Sequence, residues 1–397
     1  MNKKNNISEM HSCYGCGVCS KVCPQNIIDI RLNRNGFYTP YIIEIDKCTS
    51  CGLCLDVCAY NSNDVIKTNE FKVKSYAGWS RNPEVTHTCS SGGIGYELAK
   101  HLVENGYKAC CARYNAKKGI VEHYIANTVI ELQESKCSKY LQSFTIEGFR
   151  NLDRKSKYFI TGTPCQIDSI RRYIRRLRIE DNFILMDFFC HGVPSNLMWR
   201  KYLKGIQRQI GKPSNVSWRS KKYGWHDSWV IMAENIEATG GNIPIQYESN
   251  LSKGDLFYKM FLLNNCLGKA CYSHCKYKMA SSASDIRIGD LWGTKYEKNN
   301  TGVNGILALT PKGDRILNEM TSIELVKEPY EVVTEGQMKK SPKKTYLYYI
   351  DLFLLRTPLS IKCIDMINRL VPQLLIPVFY IRTLFTSVPL KLGRIKN

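Results

Sequence analysis

The sequence predicts a multidomain protein of the α+β and α/β classes, on three observations. Eight cysteines repeat one spacing near the amino end, strand and helix patterns alternate through the middle, and residues 340–397 are apolar with interspersed cations. A chain of 397 residues is long enough for two or three domains with proper cores. Its 44% hydrophobic and 23% charged content is that of a globular protein. With 27 Gly and 14 Pro, collagen-like and low-complexity readings are excluded. The opening MNKKNNISEMHS is polar and lacks an apolar signal core, so a cytoplasmic chain is expected. In a reducing compartment, 18 cysteines in clusters mean metal or redox chemistry rather than disulfides.

Cys13, Cys16, Cys19 and Cys23 stand as C-x2-C-x2-C-x3-C before Pro24, and Cys48, Cys51, Cys54 and Cys58 repeat that spacing. This is the run that holds a pair of [4Fe–4S] clusters in bacterial dicluster ferredoxins. Three closely spaced thiolates on a loop with small residues (Gly15, Gly17, Gly52) reach three corners of one cubane. The fourth, displaced by the extra residue, points at the other cluster. One cluster is therefore assigned to Cys13, Cys16, Cys19 and Cys58, the other to Cys48, Cys51, Cys54 and Cys23. Ala59 replaces the second proline, and the run between the halves is long, but neither change removes a ligand. Zinc sites use paired arms much further apart. Residues 8–70 fit one such domain, whose clusters replace a missing core. Phe71–Thr86 reads as strand and linker.

Beyond it the patterns define a body in two parts, 71–160 and 161–335. GGIGYELAKHLVENG is an amphipathic helix, and YKACCARY and IVEHYIA are strands. KYFITGTPCQ is a strand entering a tight turn before the helix IDSIRRYIRRLR. NFILMDFFCHG is a buried strand before another helix, and DIRIGDLWG and GILALT are strands again. No G-x-G-x-x-G follows a first strand, so the ordinary dinucleotide fingerprint is missing. Arg171, Arg172, Arg175, Arg176 and Arg178 read as the solvated face of one helix, not as a nucleic-acid surface.

Three loops of the body look chemical. Ser90, Ser91, Gly92 and Gly93 precede a helix, which suits either an anion site for a flavin phosphate or a plain serine cap with turn glycines. Gly162-Thr163-Pro164-Cys165-Gln166 lies at a strand's carboxyl end, where α/β sheets bind ligands. Cys190-His191-Gly192 is placed likewise. Cys165 and Cys190, with Cys271 and Cys275, are candidates for a third cluster, although separated ligands leave no spacing signature.

TCSSGG, GTPCQ, FFCHGVPS and C-x3-C…SDIRIGDLWG, in this order behind a double ferredoxin, resemble the beta subunits of coenzyme F-420 (deazaflavin)-reducing hydrogenase and dehydrogenase over roughly residues 8–330. The resemblance implies an iron–sulfur flavoprotein whose body binds FAD and carries one [4Fe–4S] cluster. It implies that Ser90, Ser91, Gly92, Gly93, Gly162 and Thr163 touch FAD and that Cys165, Cys190, Cys271 and Cys275 hold the body cluster. The family spacing of the last pair is C-x2-C, so Cys266 stands as a rival ligand. Members with this layout also resemble proteins found in bacterial cell-surface polysaccharide pathways, so such a setting is expected.

Clusters exchange single electrons and a flavin exchanges pairs, so one chain holding both would let a one-electron carrier feed a two-electron oxidoreductase reaction. The rival expectation is a non-catalytic electron-relay subunit. His191 is the candidate proton donor, against a simple hydrogen-bonding role. Lys221, Trp225 and His226 suit either an anionic substrate or a packed hairpin. The formal net charge of +21 falls to roughly +15 once three clusters of about −2 each are held. The partners this charge favours are an acidic redox protein such as ferredoxin and a small-molecule substrate. Self-association into a homo-oligomer is left open. The tail, 336–397, reads as basic apolar helices that pack on the body or lie on an anionic membrane, since Arg369, Pro372, Pro377 and Arg382 interrupt any spanning run.

Overall fold

The computed structural model describes residues 5–10, 12–65, 72–237, 243–337 and 339–370. In the amino-terminal unit the long run between the cysteine groups folds as a hairpin of β1 (Ile28–Leu32) and β2 (Tyr38–Ile42), registered Ile28 to Ile42. Two short helices, Val18–Val22 and Leu53–Asp56, start after Gly17 and Gly52. These glycines hold φ of +76° and +75°, so the sequence repeat is also a backbone repeat. A left-handed residue at that point turns the chain to bring three thiols to one side.

The body is one eight-stranded mixed sheet. Its strands are β3 (Lys74–Ser80), β4 (Lys108–Asn115), β5 (Ile120–Ala126), β6 (Tyr158–Thr161), β7 (Phe183–Phe188), β11 (Ile286–Asp290), β12 (Asn304–Ala308) and β13 (Ile323–Lys327). A separate three-stranded antiparallel sheet holds β8 (Asn215–Ser217), β9 (Val230–Asn235) and β10 (Ile245–Asn250). The large sheet runs in the order β13-β3-β12-β11-β7-β6-β4-β5, with β4, β6, β7 and β11 parallel. Strand β3 is antiparallel to β12, which is antiparallel to β11, so β3 points the same way as the parallel set.

Two sequence expectations are corrected here. Residues 71–86 contain the expected strand, β3, but no linker follows it: β3 lies between β12 and β13, and Pro83–Thr88 is helical. Its polar residues misled because they are satisfied inside, Ser75 Oγ donating to Glu328 O and Ser80 Oγ to Glu97 Oε1. The two body parts therefore interleave in one sheet. Nor do the arginines of the Pro164–Arg176 helix all face solvent. Arg171 is buried and ion-paired to Asp285 at 2.9 Å, and Arg172 pairs with Asp168 at 3.0 Å.

One sheet face packs on the Ile94–Glu104 helix through Ile94, Leu98, Phe159 and Ile184. The other packs on Pro164–Arg176, and there Val18 and Val57 of the amino-terminal unit join the core. The small sheet, with the Asn196–Ile210 and Leu256–Leu262 helices, encloses Trp199, Trp218 and Phe257. The carboxyl-terminal segment adds the Tyr348–Leu354 helix and helical residues 361–370. Among the described residues no helix is long and apolar enough to cross a membrane. The expected membrane contact, with Pro372, Pro377 and Arg382, falls largely on 371–397, outside the described residues.

The two repeat glycines are not equivalent. A Cβ on Gly17 would stand 2.2 Å from Thr145 Oγ1 of the body, whereas one on Gly52 meets only the Asn5 side chain. Both substitutions to alanine strain the left-handed backbone by about 1 kcal/mol. Gly17→Ala is expected to lose clearly more thermal stability than Gly52→Ala, because it also pushes the amino-terminal unit off the body. Equal melting temperatures would refute this.

Candidate functional site

Cys13, Cys16, Cys19 and Cys58 ring one small cavity, walled by Ile7, Met10, Pro40 and Tyr60. Cys23, Cys48, Cys51 and Cys54 ring a second, walled by Pro24, Ile27, Ile28 and Ile42. The chain thus brings the thiols together in the crossed grouping that the spacing suggests. Gly15 N donates to Cys13 Sγ at 3.3 Å and Asn6 Nδ2 to Cys48 Sγ at 3.3 Å, the contacts that stabilise a thiolate. Burial, with neighbouring thiols adding, pushes Cys13 up to about 12 and Cys58 up to about 11. Such thiols stay protonated until a metal displaces the protons. Among the described residues no group of three His, Cys, Asp or Glu side chains is placed to hold a metal ion directly. A cubane is larger than an ion and brings its own sulfides, and the ringed cavities suit it.

A third set of thiols comes from three places in the chain. Cys165 sits in the first turn of Pro164–Arg176, and Cys190 follows β7. Cys271 lies in the Lys269–Ser273 helix, and Cys275 just past it. All four line one cavity of about 410 Å³, together with Thr163, Gln166, His191, Tyr277 and Lys278. Burial raises Cys190 to about 12 and Cys271 to about 11. Cys266 does not line it: its sulfur is buried in the core, 3.1 Å from Met198 Sδ. Tyr14 and Cys13 border both this cavity and the first cysteine ring. Along Pro164–Arg176, one turn beyond Cys165, Ser169 Oγ lies 3.3 Å from Cys16 Sγ and accepts from Ala59 N at 3.2 Å. Ser169 therefore ties the first ring to the body cavity.

The loops taken for a cofactor share the carboxyl edge of the sheet but differ in availability. Thr163 lines the cavity, its Oγ1 is 3.2 Å from Cys165 Sγ, and its N donates to Gln166 Oε1. Gly162 lies just before it, N bonded to Met186 O. Ser90 Oγ accepts from Ser138 N, and Ser91 Oγ donates to Val303 O. Gly92 has no room for a side chain: a Cβ would be 2.5 Å from Gly78 O. Behind Gly93, Ile94 N is taken by Asn304 Oδ1. Lys221 donates to the carbonyls of Thr86, Ser91 and Thr301, Trp225 stacks on Trp292 at 4.7 Å, and His226 is exposed. That stretch packs and does not reach the cavity. His191 lines the cavity, its Nε2 buried without a hydrogen-bond partner and its ring 4.9 Å from Phe261. Burial holds its imidazole below the ordinary value.

Several residues that hold the site were not singled out from the sequence. Arg287 of β11 forms a fully buried pair with Asp187 of β7 at 2.7 Å and also donates to Met279 O. Ser282 Oγ donates to Asp187, and Tyr277 Oη to Asp168 on the Pro164–Arg176 helix. Arg287 lies within the quoted SDIRIGDLWG, but nothing in the sequence pairs it with an aspartate 100 positions earlier.

Two cysteine rings of this kind define an iron–sulfur redox protein. Residues 12–62 match the 4Fe-4S dicluster domain, and residues 155–330 match the family described as the C-terminal part of the beta subunit in coenzyme F420 hydrogenase/dehydrogenase. The resemblance drawn from the motifs is borne out in both places. A chain in the structure entitled "Xenon derivatization of the F420-reducing [NiFe] hydrogenase complex from Methanosarcina barkeri" is 14% identical, with a TM-score of 0.45, covering 68% of this chain and 91% of that one. No curated protein matches.

Removing one partner of a fully buried ion pair costs about 3–5 kcal/mol. Asp187→Ala is expected to lower the melting temperature by several degrees or more. Unchanged thermal stability would contradict the role given to the pair.

Proposed function

We propose that the chain is an iron–sulfur flavoprotein oxidoreductase. In this reading Cys13, Cys16, Cys19 and Cys58 hold one cluster, and Cys23, Cys48, Cys51 and Cys54 a second. Cys165, Cys190, Cys271 and Cys275 hold a third beside FAD. The observation that carries the reading is the meeting of four thiols from three distant segments on one cavity, one helical turn from the first ring. A structural scaffold has no use for that adjacency, whereas electron passage between centres does. When bound, the clusters would supply single electrons and the flavin would exchange them in pairs.

The residues of the chain have separate tasks. Thr163 and the backbone near Cys165 orient a thiolate and border the space for the flavin ring. The Ser90–Gly93 loop at the same edge, of which only Ser90 is not fully buried, is the second flavin contact. Lys278, donating to Cys190 O at 2.9 Å, offsets cluster charge. His191 is the proton donor to a bound substrate. A one-electron carrier such as ferredoxin is the partner, and a place in cell-surface polysaccharide synthesis is the biological setting offered for this chemistry.

Anaerobically reconstituted full-length protein is expected to contain about twelve irons and one releasable FAD per chain. Far fewer than eight irons, or zinc, would end the proposal, and complete iron without flavin would leave an electron relay. Cys271→Ser should lower iron by about four, Cys266→Ser by none; the reverse result would exchange their roles. His191→Gln is expected to reduce turnover about a hundredfold or more at unchanged iron and flavin content, and undiminished turnover would remove its proton role.

A further inference from the structure

The body cavity carries an unbalanced charge. Arg34, Lys269, Lys278, Lys344 and Arg356 line it, and no aspartate or glutamate is among its described lining residues. Their contacts are neutral: Lys278 with Cys190 O, Arg356 with Leu352 O at 3.2 Å, and Lys344 over the rings of Tyr348 and Tyr349 at 4.9 and 5.4 Å. Elsewhere the buried arginines are each met by a carboxylate, Arg171 by Asp285, Arg219 by Asp290 and Arg287 by Asp187. A cluster held by four thiolates carries about −2 and leaves about three positive charges unmatched. The cations come from separate elements: Arg34 from the turn between β1 and β2, Lys269 from a body helix, Lys344 and Arg356 from the segment after residue 330. At the Ser90–Gly93 loop, by contrast, Ser91 Oγ and Ile94 N are already engaged.

We propose that the mouth of this cavity is a diphosphate site, formed by Arg34, Lys269, Lys344 and Arg356, with Tyr348 and Tyr349 beside it for a ring. The two arginines offer paired donors to phosphate oxygens, and the lysines act as point charges. The diphosphate belongs either to the flavin or to a phosphorylated substrate, and this choice rests on the function proposed above.

The test is calorimetric titration of inorganic pyrophosphate into full-length holoprotein at fixed ionic strength. Saturable binding is expected, weakened about tenfold or more in Lys344→Gln/Arg356→Gln and in Arg34→Gln, and unchanged in Lys298→Gln, an exposed cation that does not line the cavity. Lys344→Arg should retain affinity. Pyrophosphate that expels the flavin assigns the site to the cofactor, and binding with the flavin retained assigns it to the substrate. Absence of saturable binding both to the holoprotein and to protein from which the flavin has been released, or equal affinity in the charge-removing variants and wild type, overturns the proposal. If the protein holds no flavin, the titration still reports on the site while the flavoprotein reading fails.

Discussion

The body site depends on one buried ion pair. Asp187 and Arg287 are fully buried and directly opposite in the β7–β11 register, joined by two hydrogen bonds of 2.7 Å. Taking both charges out of water is expensive, and their attraction repays it only when the remaining donors are satisfied. Here they are: Ser282 donates to the carboxylate, and the guanidinium reaches Met279 O. Those extra bonds fix the loop between the Cys271/Cys275 helix and β11. The same pair thus sets the end of β7, which carries Cys190, and the path of the chain that carries the other two thiols. Cys165 is tied in by Tyr277 Oη, which donates to Asp168 one turn along its helix at 2.8 Å. A polar framework, directional where apolar packing is not, keeps four thiols from three segments around one space.

The amino-terminal unit is joined to the body by side-chain hydrogen bonds and by a shared apolar cluster. Gln142 accepts from Tyr38 N and donates to Tyr14 O, and Thr145 Oγ1 donates to Cys16 O. Lys276 Nζ bonds the carbonyls of Ala59 and Ser62, just past Cys58, the last cysteine of the repeat. Val18 and Val57 complete an apolar cluster with Ile160, Ile167 and Leu185. An isolated unit of this size could not bury comparable apolar surface. Its docking also holds the first ring in one position relative to Cys165, where a tethered carrier would sample many.

What could be read in the sequence follows from how local each interaction is. The crossed grouping of the first eight cysteines was legible because spacing alone fixes which thiols meet. The strands Lys108–Asn115 and Phe183–Phe188 were legible because their apolar runs are buried on both faces, and Ile286–Asp290 because isoleucine alternates with other residues along it. A strand within Phe71–Thr86 was legible, but its place inside the large sheet was not, because its partners β12 and β13 lie more than 200 positions further on and its polar residues are satisfied by Glu328 O and Glu97. Arg171 and Arg172 were misread for the same reason: helical spacing says where a side chain points, not that a carboxylate waits there. Cys266 and Cys271 cannot be told apart by spacing, yet one lies against Met198 in the core and the other faces the cavity.

The distribution of charge says more than the total. A formal excess of +21 spread evenly would be a general attraction to anions, screened within about 10 Å at ordinary salt. In this chain the deeply buried arginines are neutralised one by one, and those serve architecture. Arg34, Lys269, Lys278, Lys344 and Arg356 instead line the cavity that also holds thiols and His191, with no aspartate or glutamate among its described lining residues. Charge left uncompensated beside a low-dielectric space raises the local concentration of an anion far more than the same charge on an open face. Lys344 and Arg356, moreover, come from chain beyond the matched family region. The rim therefore draws on both matched and unmatched chain, since Arg34 and Lys269 lie inside the matched regions and Lys344 and Arg356 outside them.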